Sequence, residues 1–294
     1  MKTSNKIRSI IFAFSFLFLL SPITALADSG PKPSMRITVG EECVGAYATL
    51  LSEKESTGPH AAWDGTEENA YHDKNQTYGW GTPYDIWEAF VTYEDADGFY
   101  YLQSTERKIS DAGEYIWGYY PPERFKLLLY FPESDSYLVS GIYERYAFHS
   151  YFSASVSACG LSLVRSYDYT AEVIGLAARI VITLTAEILL ALLFFPKEGR
   201  MLLPIALINV VTQLLLNLAL AKTGYMNGAR AFVLRYINLE LLVTAAEAAV
   251  LFFLAPLRSS CERPRMRAVL YAVVANACSF ALGYAVSLLI PKLF

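Results

Sequence analysis

The sequence predicts an α+β membrane protein: a β-rich exported domain, an immunoglobulin-like sandwich in outline, followed by a four-helix transmembrane bundle. Three observations predict it. The first 27 residues have the pattern of a secretory signal, charge and aromatic content change abruptly near residue 168, and four apolar stretches of bilayer length follow.

At the N-terminus, Lys2, Lys6 and Arg8 precede an apolar run from Ser9 to Leu20. Ala25-Leu26-Ala27 then places small residues at both recognition positions, so cleavage is expected before Asp28. The apolar run is too short to span a hydrocarbon core comfortably. The residue directly after the cut is Asp28 and not cysteine, so no lipid anchor is expected there.

Residues 28–168 hold 22 acidic and 10 basic side chains, a net of −12, whereas 169–294 hold 6 and 11, a net of +5. All 4 tryptophans and 16 of the 21 tyrosines also fall in 28–168. The border is therefore a change of solvent, from water to lipid. An acidic exported domain argues against nucleic acid as a partner.

Within 28–168, β-rich runs recur at Met35–Val39, Val44–Leu51, Phe99–Ile109, Glu114–Tyr120, Phe125–Phe131, Tyr137–Ile142 and Ala147–Val156. Pro121-Pro122 and Pro132-Glu133-Ser134-Asp135 supply turns between them. Seven runs at this spacing are the basis for the sandwich. Asp85 with Glu88 three residues on reads as a helix start, giving one short helix over 85–94. Residues 150–170 read as the link to the first membrane helix, with Tyr167 and Tyr169 as interfacial anchors. The aromatic surplus has two readings, core packing or an exposed surface for peptide, glycan or protein contact.

Chemistry-bearing motifs are absent. There is no phosphate loop, His-Glu-x-x-His, Cys-x-x-Cys or Gly-x-Ser-x-Gly, so neither an enzyme nor a cofactor or metal is expected. Asp95-Ala-Asp97-Gly98 resembles the start of a calcium loop, with Glu106 at position twelve. However, its glycine sits at position four instead of six, so it reads as a turn. Of the four cysteines, only Cys43 and Cys159 share the oxidising side; they can form one disulfide, with free thiols as the alternative.

The membrane helices are expected at about 173–195, 201–221, 231–255 and 268–290, each long enough for a ~30 Å hydrocarbon core. The two inner loops hold Lys197, Arg200, Arg258, Arg263, Arg265 and Arg267, against Lys222, Arg230 and Lys292 outside. That bias places the N-terminal domain outside the cell membrane of a multi-pass protein.

Polar residues recur inside these helices at helical spacing: Arg179, Thr183 and Glu187; Asn209, Gln213 and Asn217; Glu240, Thr244 and Glu247; Asn276 and Ser279. Residues three, four or seven apart share a face, so each helix presents a polar stripe to its neighbours. Depth along the helices puts Arg179 and Glu240 at levels that allow an ion pair. It gathers Glu187 and Glu247 with Asn209, Gln213 and Asn276 as an intramembrane polar cluster. Three roles stay open: hydrogen-bonded glue between helices, an ion, proton or small-ligand site, or docking to a protein partner in the membrane.

Several strings have a familiar look: Pro121-Pro122, Leu129 to Asp135, Tyr143 to Phe148, Ser166 to Tyr169, Glu187 to Arg200, and Asn209 to Gln213 with Asn217. In them the chain resembles an uncharacterised family of membrane proteins from clostridia-like bacteria. The resemblance covers nearly the whole chain. It implies the plan of signal, exported domain and four helices, and carries no activity with it. The expected function is thus a non-enzymatic membrane protein that senses or binds at the cell surface, or an accessory subunit of a membrane complex. The alternative is a small transporter or ion-coupled protein using the intramembrane carboxylates.

Overall fold

Alternation in the first half and unbroken apolar runs in the second produce two kinds of packing in the computed structural model, which describes residues 31–70, 82–158, 160–196 and 198–289. The signal segment 1–27 and Cys159 lie outside the described residues.

The N-terminal domain is β-rich. β1 (Ser34–Thr38), β7 (Glu114–Trp117), β11 (His149–Ser157) and β12 (Gly160–Arg165) form one sheet in the order β12-β11-β1-β7. β1 runs parallel to β11, pairing Ile37 with Phe152, and antiparallel to β7. The second sheet is centred on β2 (Tyr47–Ser52) and β8 (Arg124–Phe131), antiparallel with Leu50 opposite Leu127. β5 (Tyr100–Tyr101) and β6 (Arg107–Lys108) extend it beside β2, and β9 (Ser136–Val139) and β10 (Tyr143–Glu144) beside β8. A small hairpin joins β3 (Ser56–Thr57) to β4 (His60–Ala61).

Both sheets contribute to one core, where Met35, Ile37, Tyr115 and Phe152 meet Leu50, Phe125, Leu127 and Leu129. β8 departs from alternation because its other face is covered as well. Leu128 and Tyr130 pack with Leu51 against Ile86, Trp87 and Phe90 of α1 (Tyr84–Val91). A strand buried on both faces reads as a continuous apolar run, which explains Leu127-Leu128-Leu129.

Two expectations for this domain fail. Phe99–Ile109 is not one strand, since between β5 and β6 the chain turns inward with Leu102 to Glu106 all buried and Ser104 at φ 62°. The turn ties some of its polar groups down inside: the Thr49 and Thr105 hydroxyls lie 2.7 Å apart, and Tyr115 donates to the Thr105 carbonyl at 2.8 Å, while Ser104 Oγ is buried with no hydrogen-bond partner among the described residues. Nor is 150–170 a link, because β11 and β12 occupy most of it. β11 matches the run expected at Ala147–Val156, whereas β12, whose Leu161 and Leu163 pack into the core, is a strand in place of the expected link.

The C-terminal part holds four helices long and apolar enough to cross a membrane: α2 (Thr170–Phe194), α3 (Gly199–Gly228), α4 (Arg230–Arg258) and α5 (Pro264–Leu289). Their outer surfaces are largely apolar, as at Leu193, Leu215, Phe253 and Leu257, while Glu187, Asn209, Gln213, Asn217, Glu240, Glu247 and Asn276 are buried. α3 and α4 form an antiparallel hairpin whose only non-helical residue is Gly228, at φ 80° and ψ 176°. The loop expected at 222–230 is therefore helix on both sides of one glycine. A Cβ at Gly228 would meet the Phe148 ring at 2.7 Å, so both the positive φ and the close approach require glycine there.

The described residues from Lys32 onward belong to one compact unit. Its two parts meet at the Gly228 turn, where the Phe148 amide donates to the Tyr225 carbonyl at 2.9 Å. Tyr146, Tyr167 and Tyr169 stack around the Tyr225 ring at centroid distances of 5.3 to 6.3 Å.

Candidate functional site

Helical spacing turns the polar stripes of α2 to α5 toward one another, and the bundle buries them. Thr183, Glu187, Asn209, Gln213, Asn217, Glu240, Glu247, Asn276 and Ser279 are all at most 7% exposed. In hydrocarbon such groups are tolerated only where they find partners among themselves.

α3 is the bridge. Its Gln213 amide donates to Glu187 Oε1 of α2 at 3.2 Å, and its Thr212 hydroxyl bonds Glu247 Oε1 of α4 at 2.5 Å. Asn276 of α5 donates to Glu247 Oε2 at 2.6 Å. Tyr271 of α5 donates to the Glu187 carbonyl at 3.1 Å and accepts from Asn209 at 3.2 Å. The two carboxylates lie within electrostatic reach of each other. The bundle thus brings together Glu187, Glu247, Asn209, Gln213 and Asn276 in one hydrogen-bonded cluster.

The amide orientations are fixed by their second bonds. Asn217 donates to Gln213 Oε1 at 3.3 Å, which turns the Gln213 nitrogen to Glu187. Asn276 also donates to the Ala272 carbonyl at 2.9 Å, so its nitrogen faces Glu247. Tyr271 gives its one proton to the Glu187 carbonyl, so its oxygen receives the Asn209 nitrogen. What remains is a surplus of acceptors. Glu187 Oε2, Asn209 Oδ1, Asn276 Oδ1 and Glu240 Oε2 are buried with no hydrogen-bond partner among the described residues.

Arg179 and Glu240 flank Tyr236. The Arg179 guanidinium lies over the Phe232 ring, 5.4 Å from its centroid, with Tyr236 beside it, and Tyr236 hydrogen-bonds the Glu240 carboxylate. Sequence reasoning missed Thr212, Tyr236 and Tyr271. Tyr271 and Ser279 are eight residues apart, about two helical turns, so the stripe itself held the signal for one of them.

In the β-rich domain, the calcium-like turn is filled from within. Lys126 places its ammonium 2.8 Å from Asp95 and 2.5 Å from Asp97, with the Lys126 and Asp95 side chains 4% and 1% exposed. Burial alone would lower the lysine; the hydrogen bonds it donates to Asp95 and Asp97 outweigh that and raise its pKa above 10.5. Cys43 is a buried free thiol, and the partner considered for it, Cys159, lies outside the described residues. Among the described residues no group of three or more His, Cys, Asp or Glu side chains is placed to hold a metal ion.

The aromatic residues divide between the two readings. Tyr115, Trp117, Phe125, Phe152, Trp87 and Phe90 build the cores, while Trp63, Tyr100, Tyr119 and Tyr120 are exposed on the surface. Comparison of the chain with protein-family models, curated proteins and solved structures finds no match.

Proposed function

We propose that the protein is an ion- or proton-coupled multi-pass membrane protein whose working site is the Glu187–Glu247 cluster. One observation carries this reading. Two carboxylates from α2 and α4 are buried together, bridged by amides and hydroxyls from α3 and α5, in a core that still lacks hydrogen-bond donors. Glue between helices calls for matched donors and acceptors; a core short of donors favours a site that takes up a positive ion. The burial of these charges within the bundle also weighs against their pairing with a partner subunit in the membrane.

In this reading the N-terminal domain is exported and sits over the outer end of the bundle. The signal pattern, the basic inner loops and the resemblance to the clostridial-type family support that orientation. The domain's two packed sheets support the immunoglobulin-like outline, with α1 added on the outer face of one sheet.

A second reading has its own observation. The exposed Trp63, Tyr100, Tyr119 and Tyr120 favour a non-enzymatic surface protein that senses or binds a protein or glycan. The Phe148–Tyr225 contact would pass such binding to the α3–α4 hairpin.

The test is thermal stability of the detergent-purified full chain across pH and a panel of cations, wild type against the double variant Glu187→Gln/Glu247→Gln. A cation- or proton-dependent shift in wild type that the double variant lacks supports the ion-coupled reading. If both respond alike, the cluster is packing, and the exported domain becomes the place to look for function.

A further inference from the structure

We infer that the ion taken up in the bundle core is a proton, and that Glu187 carries it while Glu247 stays ionised. The inference rests on the ion-coupled reading and names its ion.

The two carboxylates are treated differently by their surroundings. Glu247 receives one donor on each oxygen, the Thr212 hydroxyl at 2.5 Å, in the range of O–H bonds to a charged acceptor, and the Asn276 amide at 2.6 Å. Glu187 receives the Gln213 amide at 3.2 Å; the Ser279 hydroxyl, which donates to the Asn276 carbonyl at 3.1 Å, faces the same carboxylate, and Glu187 Oε2 has no hydrogen-bond partner among the described residues. A carboxylate buried with a bare oxygen is costly, whereas a carboxylic acid turns that oxygen into a donor. Protonating Glu187 Oε2 therefore removes one unsatisfied acceptor and provides a donor in a core where Asn209 Oδ1 and Asn276 Oδ1 still need one. The nearness of Glu247 works in the same direction, since two like charges in a dry site do not both stay ionised cheaply.

A metal cation fits less well. The Thr212 hydroxyl and the Asn276 nitrogen take both Glu247 oxygens and the Gln213 nitrogen takes Glu187 Oε1, so Glu187 Oε2 is the one carboxylate oxygen of the pair left open to a cation. The other titratable or charged groups facing this core are few. α2 offers Arg179, eight residues and about 12 Å along the helix from Glu187. α4 offers Tyr236 and Glu240, α5 offers Tyr271, and α3 contributes only amides and hydroxyls. Tyr271 has already directed its proton to the Glu187 carbonyl, so the proton on Glu187 comes from solvent.

Infrared spectroscopy of the full chain in detergent at neutral pH, in H2O and D2O, reads this directly. The expected result is a deuterium-sensitive protonated-carboxyl stretch in wild type that persists in Glu240→Gln and disappears in Glu187→Gln. Absence of the band in wild type, or its survival in Glu187→Gln, overturns the assignment. If Glu187→Gln does not fold, Glu187→Asp keeps the carboxyl and moves it, so the band must shift; an unmoved band overturns the assignment too. Thermal midpoints with sodium or lithium separate the two levels of the argument. No band, but a cation response that the Glu187→Gln/Glu247→Gln variant lacks, leaves an ion site and removes the proton. No band and no such response removes both.

Discussion

The β-rich domain and the helix bundle solve opposite problems with one chain. The domain buries mostly apolar side chains and pairs several of the polar groups it takes inside, as Lys126 with Asp95 and Asp97, or Thr49 with Thr105, with the Ser104 hydroxyl left without a partner among the described residues. The bundle turns leucines outward, to 74% exposure at Leu193 and 80% at Leu257, and buries glutamates and amides instead. In water the apolar core supplies the driving force. In lipid that force between helices vanishes, so packing and polar pairing must hold them. A fully paired polar cluster needs no further role; one with four acceptor oxygens unpaired among the described residues invites a functional explanation.

The sharpest ways to break this comparison lie in the β-rich domain. Lys126→Ala strips the buried Asp95 of its counter-ion, and a loss of about 3–5 kcal/mol is expected. Phe125→Ala opens a cavity between the sheets, for a loss also of about 3–5 kcal/mol. Denaturant titration of the full chain, followed by tryptophan emission, reads both, because all four tryptophans lie in 28–168. Losses below 1 kcal/mol at either position would mean that this domain is not held by the core described.

At the border the expected effect is smaller. Gly228→Ala puts a side chain at φ 80° and a Cβ against Phe148, costing roughly 1–3 kcal/mol from backbone strain alone. Adding Phe148→Ala should recover the contact part of the loss and leave the backbone part. Purely additive losses in the two thermal midpoints would show that the turn and Phe148 are not in contact.

Smaller still is a pH effect. Burial pushes His149 below the ordinary value of 6.5, and it pushes His60 the same way against an opposing bond to the Gln103 carbonyl. The unfolded chain then binds protons that the folded chain refuses. Stability should be complete above pH 6.5 and decline as pH falls below it, levelling off once the folded histidines titrate too. His149→Asn should flatten part of that decline; an unchanged profile would remove His149 from the account.

Much of this was legible in residue order. Apolar length marked the four helices, and four-residue spacing marked Asn209, Gln213 and Asn217 as one face. The charge change near 168 falls between the end of β12 at Arg165 and the start of α2 at Thr170. What stayed hidden depends on contacts between distant segments. Thr212 looked like any helical threonine, and only the approach of α4 makes it a partner of Glu247. Lys126 is the single charge in the run Phe125–Phe131, and only the approach of Asp95 and Asp97 gives it partners. The inward turn at Leu102–Glu106 reads as strand because its hydrogen bonds go to Thr49 and Tyr115, far away in sequence. Gly228 sat in an expected loop, where nothing announced that Phe148 would take the space of its missing side chain.

The most direct test of the central claim compares Glu187→Gln with Glu247→Gln by thermal midpoint at neutral pH in the same detergent. A neutral amide replaces a protonated Glu187 almost in kind, so that variant should match wild type. At Glu247 the same change exchanges two charge-assisted bonds for neutral ones, and a loss on the order of 1–2 kcal/mol is expected. Equal losses, or the larger loss at Glu187, would contradict the roles assigned to the two carboxylates.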